Sequence, residues 1–159
     1  MPMNDASALI ELIAPCGMDC RLCKAFQRER KPCPGCRNGS IAKPKTRAYC
    51  GIKNCIHLAK SSGRYCFVCK AFPCEELSRL DKRYRAKYTM SMVDNLREIS
   101  ISGDAAFLLH QDERWTCKKC GRLVSVHNPS CLSCGRLWKD VPAGERGGGG
   151  ALSGEGTGK

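Results

Sequence analysis

Fourteen of the 159 residues are cysteine, and that density constrains the fold more than any hydrophobic pattern does. Aromatic residues make up only 6% of the chain and its mean hydropathy is −0.36, so the apolar core has to be thin. Chains in that position are usually stapled, by disulfides or by metal. No stretch approaches the ~20 apolar residues needed to span a bilayer. Residues 1–13 contain Asp5 and Glu11 and lack the basic flank and long apolar run of a secretory leader. A reducing, cytoplasmic setting is therefore expected, and there cysteine pairs bind metal more often than they oxidise.

The last four cysteines form two clean pairs, Cys117-x-x-Cys120 and Cys131-x-x-Cys134, each followed by a glycine, Gly121 or Gly135. A Cys-x-x-Cys turn points two thiolates at one ion, and the glycine relieves the crowded backbone beyond it. Two such knuckles close a four-sulfur shell, so the segment reads as a zinc ribbon. Its expected form is a β-hairpin, with Leu123-Val124-Ser125-Val126 as the best strand.

The other ten cysteines lie between residues 16 and 74, among proline, glycine and basic residues. They group as Cys16-x3-Cys20-x2-Cys23, Cys33-Pro-Gly-Cys36, Cys50-x4-Cys55, Cys66-x2-Cys69 and Cys74. Ten thiols suit two four-ligand zinc sites with two left over, or an iron–sulfur cluster with one zinc. An interleaved partition is expected, with Cys33, Cys36, Cys50 and Cys55 in one site and Cys20, Cys23, Cys66 and Cys69 in the other. Cys16, Cys74 and His57 are then alternate ligands or spare groups. The Cys16–Cys23 spacing is also that of the radical-SAM cluster, but a chain without repeated strand–helix units cannot build the barrel which that chemistry needs. No Glu or His sits beside the thiols as an evident general base, so a non-enzymatic protein is expected.

The ordered motifs Ala14-Pro15-Cys16-Gly17-Met18-Asp19-Cys20, Cys33-Pro34-Gly35-Cys36, Lys43-Pro44-Lys45-Thr46-Arg47, Cys50-Gly51-Ile52-Lys53-Asn54-Cys55 and Phe72-Pro73-Cys74 resemble the domain of unknown function 3795 family. These are small cysteine-rich proteins of bacteria and archaea, and the resemblance covers about residues 9–100. It implies metal binding and carries no activity with it.

Helical spacing of Leu77, Leu80, Tyr84 and Tyr88 predicts a helix from Pro73–Cys74 to about Tyr88. A second helix starts with Ser91 as its cap, Gly103 breaks it, and Asp104 is placed to cap a third. Trp115 and Trp138 bracket the ribbon and are expected to cover its small core.

The formal charge of +12 counts every thiol as neutral. A zinc held by four thiolates carries a net charge of −2, so three sites would leave about +6. The remaining basic residues gather at Lys43, Lys45 and Arg47 and along one helix face at Arg79, Arg83 and Lys87. Such a stripe can track phosphates.

The fold expected is a small metal-stapled, mainly α-helical cysteine-rich domain followed by a β-hairpin zinc ribbon, an α+β chain of low regular content. Its segments are a metal-binding domain over 1–90, a helical connector over 91–113, the ribbon over 114–139 and a disordered glycine-rich tail over 140–159. The function expected is a zinc-binding module, with three Zn2+ sites, that contacts nucleic acid or a protein partner and no membrane. The alternative is an iron–sulfur or redox-active cysteine protein, or a metal or redox sensor.

Overall fold

The structure is a computed structural model that describes residues 5–39, 43, 45–61 and 63–137. The Arg47 side chain, Trp138 and the 140–159 tail lie outside the described residues. The described chain is mainly helical, with low regular content. Its α-helices are α1 (Ala6–Ile10), α2 (Lys24–Gln27), α3 (Lys45–Ala48), α4 (Ile56–Lys60), α5 (Glu75–Tyr88) and α6 (Met92–Trp115), joined by single 3₁₀ turns at Cys20–Leu22 and Cys66–Val68.

The two long helices follow the predicted pattern. In α5, Leu77 and Tyr84 are buried while Leu80 and Tyr88 are half-buried against the same core. The chain leaves α5 through Thr89, whose left-handed φ of 54° ends the helix. Ser91 then caps α6 by accepting a hydrogen bond from the Asp94 N–H at 3.0 Å. Gly103 interrupts α6 with φ 83° and ψ 168°, a region open essentially to glycine alone. Asp104, expected to cap the continuation, accepts the Tyr65 hydroxyl at 2.7 Å.

A tight turn on the N-terminal side fixes α6. The Ala14 N–H donates to the Met18 carbonyl at 2.8 Å, and the Gly17 N–H to the Ala14 carbonyl at 2.9 Å. Gly17 has φ 85°, and a Cβ there would stand 2.9 Å from the Leu96 Cγ and 3.0 Å from the Met92 carbonyl. Only glycine lets this turn lie on the first turns of α6. The Asn95 amide then reaches the Gly17 carbonyl at 3.0 Å.

The expected hairpin strand is not there. Among the described residues, pairing around the ribbon consists of isolated bridges, Thr116 with Leu123 and Ser130 with Leu137. Val124, Ser125 and Val126 are all buried, so the alternation a half-exposed strand requires is lost. The Val124 N–H donates to the Trp115 carbonyl at 2.9 Å, a bond of the Thr116–Leu123 bridge, but the chain then turns away and the Val126 N–H donates to the Leu22 carbonyl at 2.9 Å. One core of buried residues consequently runs from Ile13 to Cys131, through all three segments anticipated between residues 1 and 139. Trp115 is part of that core, its indole N–H donating to Gln111 at 3.0 Å.

Two buried carboxylates hold the helices in register. Asp81 accepts the Ser91 hydroxyl at 2.8 Å, the Val93 N–H at 3.0 Å and the Arg85 guanidinium at 2.7 Å. Asp19, fully buried, pairs with Arg21 at 2.8 Å, and Arg21 also reaches Asp112 on α6 at 2.9 Å. Burial alone would raise the Asp81 carboxyl, but the bonds from Val93, Ser91 and Arg85 outweigh it and hold the pKa below its ordinary value.

Because folding lowers that pKa, the stabilisation is fully present above the ordinary carboxylate range near ~3.9 and is lost as pH falls through the depressed folded value. Asp81→Asn is expected to destabilise the protein by about 2 kcal/mol at neutral pH. Denaturant titrations across acid pH should show the gap between variant and parent closing as pH falls; a gap independent of pH would contradict the role given to the carboxylate.

Candidate metal centre

The four ribbon cysteines converge. Cys117 Sγ lies 3.6 Å from Cys134 Sγ, and Cys120 Sγ lies 3.6 Å from Cys131 Sγ. All four ligand atoms are within 4.8 Å of one another. Sulfurs bonded at 2.3 Å to a central tetrahedral ion stand ~3.8 Å apart, so these thiols can hold a metal ion with little adjustment.

The two knuckles repeat one geometry. The Gly121 N–H donates to the Cys117 carbonyl and the Gly135 N–H to the Cys131 carbonyl, each at 2.9 Å. The Cys117 and Cys131 N–H groups donate to the carbonyls of Arg122 and Arg136, each at 2.8 Å. Gly121 and Gly135 have φ of 72° and 75°, the left-handed turn anticipated from their place after each pair. Backbone N–H groups of Cys120 and Lys119 aim at the Cys117 sulfur and pull its pKa down to about 6. The Arg122 N–H lowers Cys120 in the same way. At Cys134 the Arg136 N–H acts in that direction too, but burial and the neighbouring thiols outweigh it and push the group up to about 11. The tetrad is thus built to favour thiolates on its first knuckle, the state in which sulfur binds metal.

The ribbon is docked onto the N-terminal half through His127. Its Nδ1 accepts the Lys24 N–H at 3.3 Å, so in the neutral ring the Nε2–H faces the Tyr84 hydroxyl at 2.8 Å. The imidazole also meets Tyr88 edge-on, with ring centroids 4.8 Å apart. His110 pairs with Glu98 at 2.5 Å, and His57 is exposed on α4.

Six of the upstream cysteines, Cys16, Cys20, Cys23, Cys33, Cys36 and Cys50, line one cavity of about 400 Å³. Arg79, Arg83 and Glu76 of α5 form part of the same wall. The Cys36 N–H donates to the Cys20 sulfur at 3.3 Å. Burial, then Cys36 and Cys50, raise the Cys16 thiol well above its ordinary value. Burial, followed by Cys74, Cys55 and Cys69, pushes Cys66 up to about 12. The neighbours of Cys66 therefore include Cys55 and Cys74, while Cys20 lies beside Cys36 and Cys16. Cys16 and Cys74, expected as alternate ligands or spare groups, both have other thiols as neighbours, Cys36 and Cys50 for Cys16 and Cys66 for Cys74.

The expected phosphate-facing residues are divided. The Lys43 ammonium donates to the Cys36 carbonyl at 3.1 Å and to the Asn38 carbonyl. Arg79 pairs with Glu76 at 2.9 Å. Lys45 and Lys87 are exposed, and Arg83 combines an exposed position with a place on the cavity wall.

No local pattern in the sequence marks Asp19, Arg21 and Asp81 as charges that folding will cover. The sequence does carry an internal repeat, Cys20-Arg-Leu-Cys23-Lys24-Ala25-Phe26 recurring as Cys66-Phe-Val-Cys69-Lys70-Ala71-Phe72, a signal of two similar local folds.

The model of a family described as a protein of unknown function, DUF3795, matches residues 12–79. No curated protein and no solved structure matches the chain.

Replacing His127 with alanine removes the ring that joins the ribbon to α5 and α2. A loss of about 1–2 kcal/mol in stability is expected, with metal content per chain unchanged. A drop in metal content would instead make His127 a ligand.

Proposed function

We propose that this cysteine-rich chain, matched to DUF3795 over residues 12–79, is a non-enzymatic zinc protein in which bound metal staples a thin core and an exposed surface meets a partner. The observation that carries this reading is the ribbon tetrad, whose sulfurs stand 3.6 Å apart in two pairs, close to the spacing of a four-thiolate zinc site. Structural zinc is closed at four ligands, and its binding free energy is folding free energy, roughly 10–16 kcal/mol for small zinc domains. Bound zinc gives Cys117, Cys120, Cys131 and Cys134 a shared centre; on the first knuckle the backbone N–H groups favour the thiolate form of Cys117 and Cys120.

Nucleic acid is the partner proposed first, through Arg83, Lys87 and Lys45, with Lys82 beside them on exposed helix surface. Lys43 and Arg79 contribute less, because carbonyls and Glu76 already engage them. Where Arg83 borders the cavity, its charge also offsets the negative charge that metal-bound thiolates would carry.

One observation favours a second reading. A cavity bordered by six thiols has room for a polynuclear iron–sulfur centre as well as for a single ion. In that case the protein is a redox or metal sensor.

Elemental analysis with a visible spectrum on protein purified without oxygen separates the two. Zinc with no visible absorption is expected; iron with broad absorption would replace zinc in the N-terminal half. Chelation should abolish most of the helical circular dichroism, and a fully retained helical signal after verified metal removal would sink the stapling role.

Binding to single-stranded RNA should weaken with salt, log Kd rising by about 0.7 per phosphate contact for each tenfold rise in salt. The Arg83→Glu/Lys87→Glu double variant should lose that binding. Salt-indifferent binding, or none, would leave a protein partner as the reading.

A further inference from the structure

Among the described residues Tyr49 is the single aromatic side chain left exposed, with 83% of its surface open to solvent. The tyrosines of α5 belong to the core instead, Tyr84 buried and Tyr88 half-buried. A lone exposed apolar group is ordinary on a protein surface. What sets Tyr49 apart is a braced backbone and a basic surround.

The bracing comes from both sides. The Tyr49 N–H donates to the Lys45 carbonyl at 3.1 Å, which carries the helical turn of α3 one residue further. The Asn54 side-chain amide donates to the Ala48 carbonyl at 3.1 Å and to the Cys50 carbonyl at 2.9 Å, the two residues that flank Tyr49. The Asn54 N–H returns to the same Cys50 carbonyl at 3.1 Å. The loop beyond is seated on α5, since a Cβ at Gly51 would stand 3.2 Å from the Glu76 Oε1. On contact the ring therefore has only its own two torsions to lose, a low entropic cost for a large flat face.

Basic groups lie on two sides of that face. Lys45, four positions back along the turn, shares its helix side and is exposed. Arg79 and Arg83, one turn apart on α5, border the same cavity as Tyr49. Glu76 stands on that wall too and pairs with Arg79 at 2.9 Å. Two guanidiniums against one carboxylate give the α5 side of the cavity a net positive charge. An aromatic face between cations matches a flat base joined to phosphates: the ring stacks on the base while lysine and arginine meet the backbone. Bases inside a duplex are covered by their neighbours. Unpaired bases are offered by RNA loops, bulges and ends.

We propose that Tyr49 is the base-stacking residue of this surface, and that the surface selects single-stranded RNA over duplex. The preference rests on the reading of these basic residues as a nucleic-acid contact and adds the group that chooses among nucleic acids.

The test uses the full metal-loaded chain, a short labelled single-stranded RNA, and the same RNA annealed to its complement. The parent should bind the single strand more tightly. Tyr49→Ala should weaken single-strand binding about 5- to 150-fold, the range for losing one stacked base. Duplex affinity and the salt slope should not change, because no phosphate contact is lost. Tyr49→Phe should keep the single-strand affinity. Equal loss on duplex, a phenylalanine variant as weak as the alanine variant, or a parent without single-strand preference overturns the stacking role. So does a lowered unfolding midpoint for Tyr49→Ala, which would assign the ring to the fold. If the parent binds RNA with the expected salt dependence and Tyr49→Ala binds equally well, this inference alone fails. No salt-dependent RNA binding by the parent removes the nucleic-acid reading beneath it.

Discussion

The contact on which the described structure hangs is the seating of the Gly17 turn on α6. With no side chain at Gly17, the backbone comes close enough for Asn95 to bond its carbonyl and for Leu96 to close over it. The same turn offers the Pro15 carbonyl to the Cys66 N–H at 3.0 Å, which brings the first thiols to the last ones. A long helix is thereby fixed to a loop that has almost no regular structure of its own. Any side chain at position 17 has to displace either Leu96 or the helix backbone, and must also hold a positive φ. The clustering of cysteines 16 to 74 and the seat of the helix are consequently one constraint.

Around that contact the chain uses buried charge where a larger protein would use apolar volume. Asp81 fastens the start of α6 to α5, and Arg21 lies between Asp19 and Asp112. Buried ion pairs add little net stability, because desolvation offsets much of their attraction, but removing one partner leaves an uncompensated charge and is costly. Their value here is positional. They fix where two helices cross the cysteine-rich loops in a core whose largest fully buried side chain is Phe107.

Much of this was legible in the sequence, and the reasons are specific. Leu77, Tyr84 and the Ser91 cap mark helices because their signals are local, and Gly103 marks a break for the same reason. The ribbon tetrad was legible because two Cys-x-x-Cys-Gly turns carry their own geometry. The extended strand expected at Leu123–Val126 was not, since Val124, Ser125 and Val126 are all buried and the Val126 N–H bonds the Leu22 carbonyl, about a hundred positions away. Tyr65 claims Asp104 from 39 positions away, so its capping potential went to a tertiary partner. The contact of Cys36 with Cys20 was not legible either, because it depends on how the Cys33-Pro-Gly-Cys36 turn folds back on the first thiols.

The position of α6 along the chain has a consequence for biosynthesis. The helix that closes over the Gly17 turn begins at Met92, after Cys74 and every earlier cysteine has been made. A ribosome adding about 5–20 residues per second presents all ten thiols before the helix that seats the Gly17 turn exists. During that interval the nascent segment is a polythiol without that anchor, open to metal, oxidant or another thiol. The order of the chain thus places an early window for thiol chemistry ahead of the anchoring of the turn, and translation speed sets how long that window stays open.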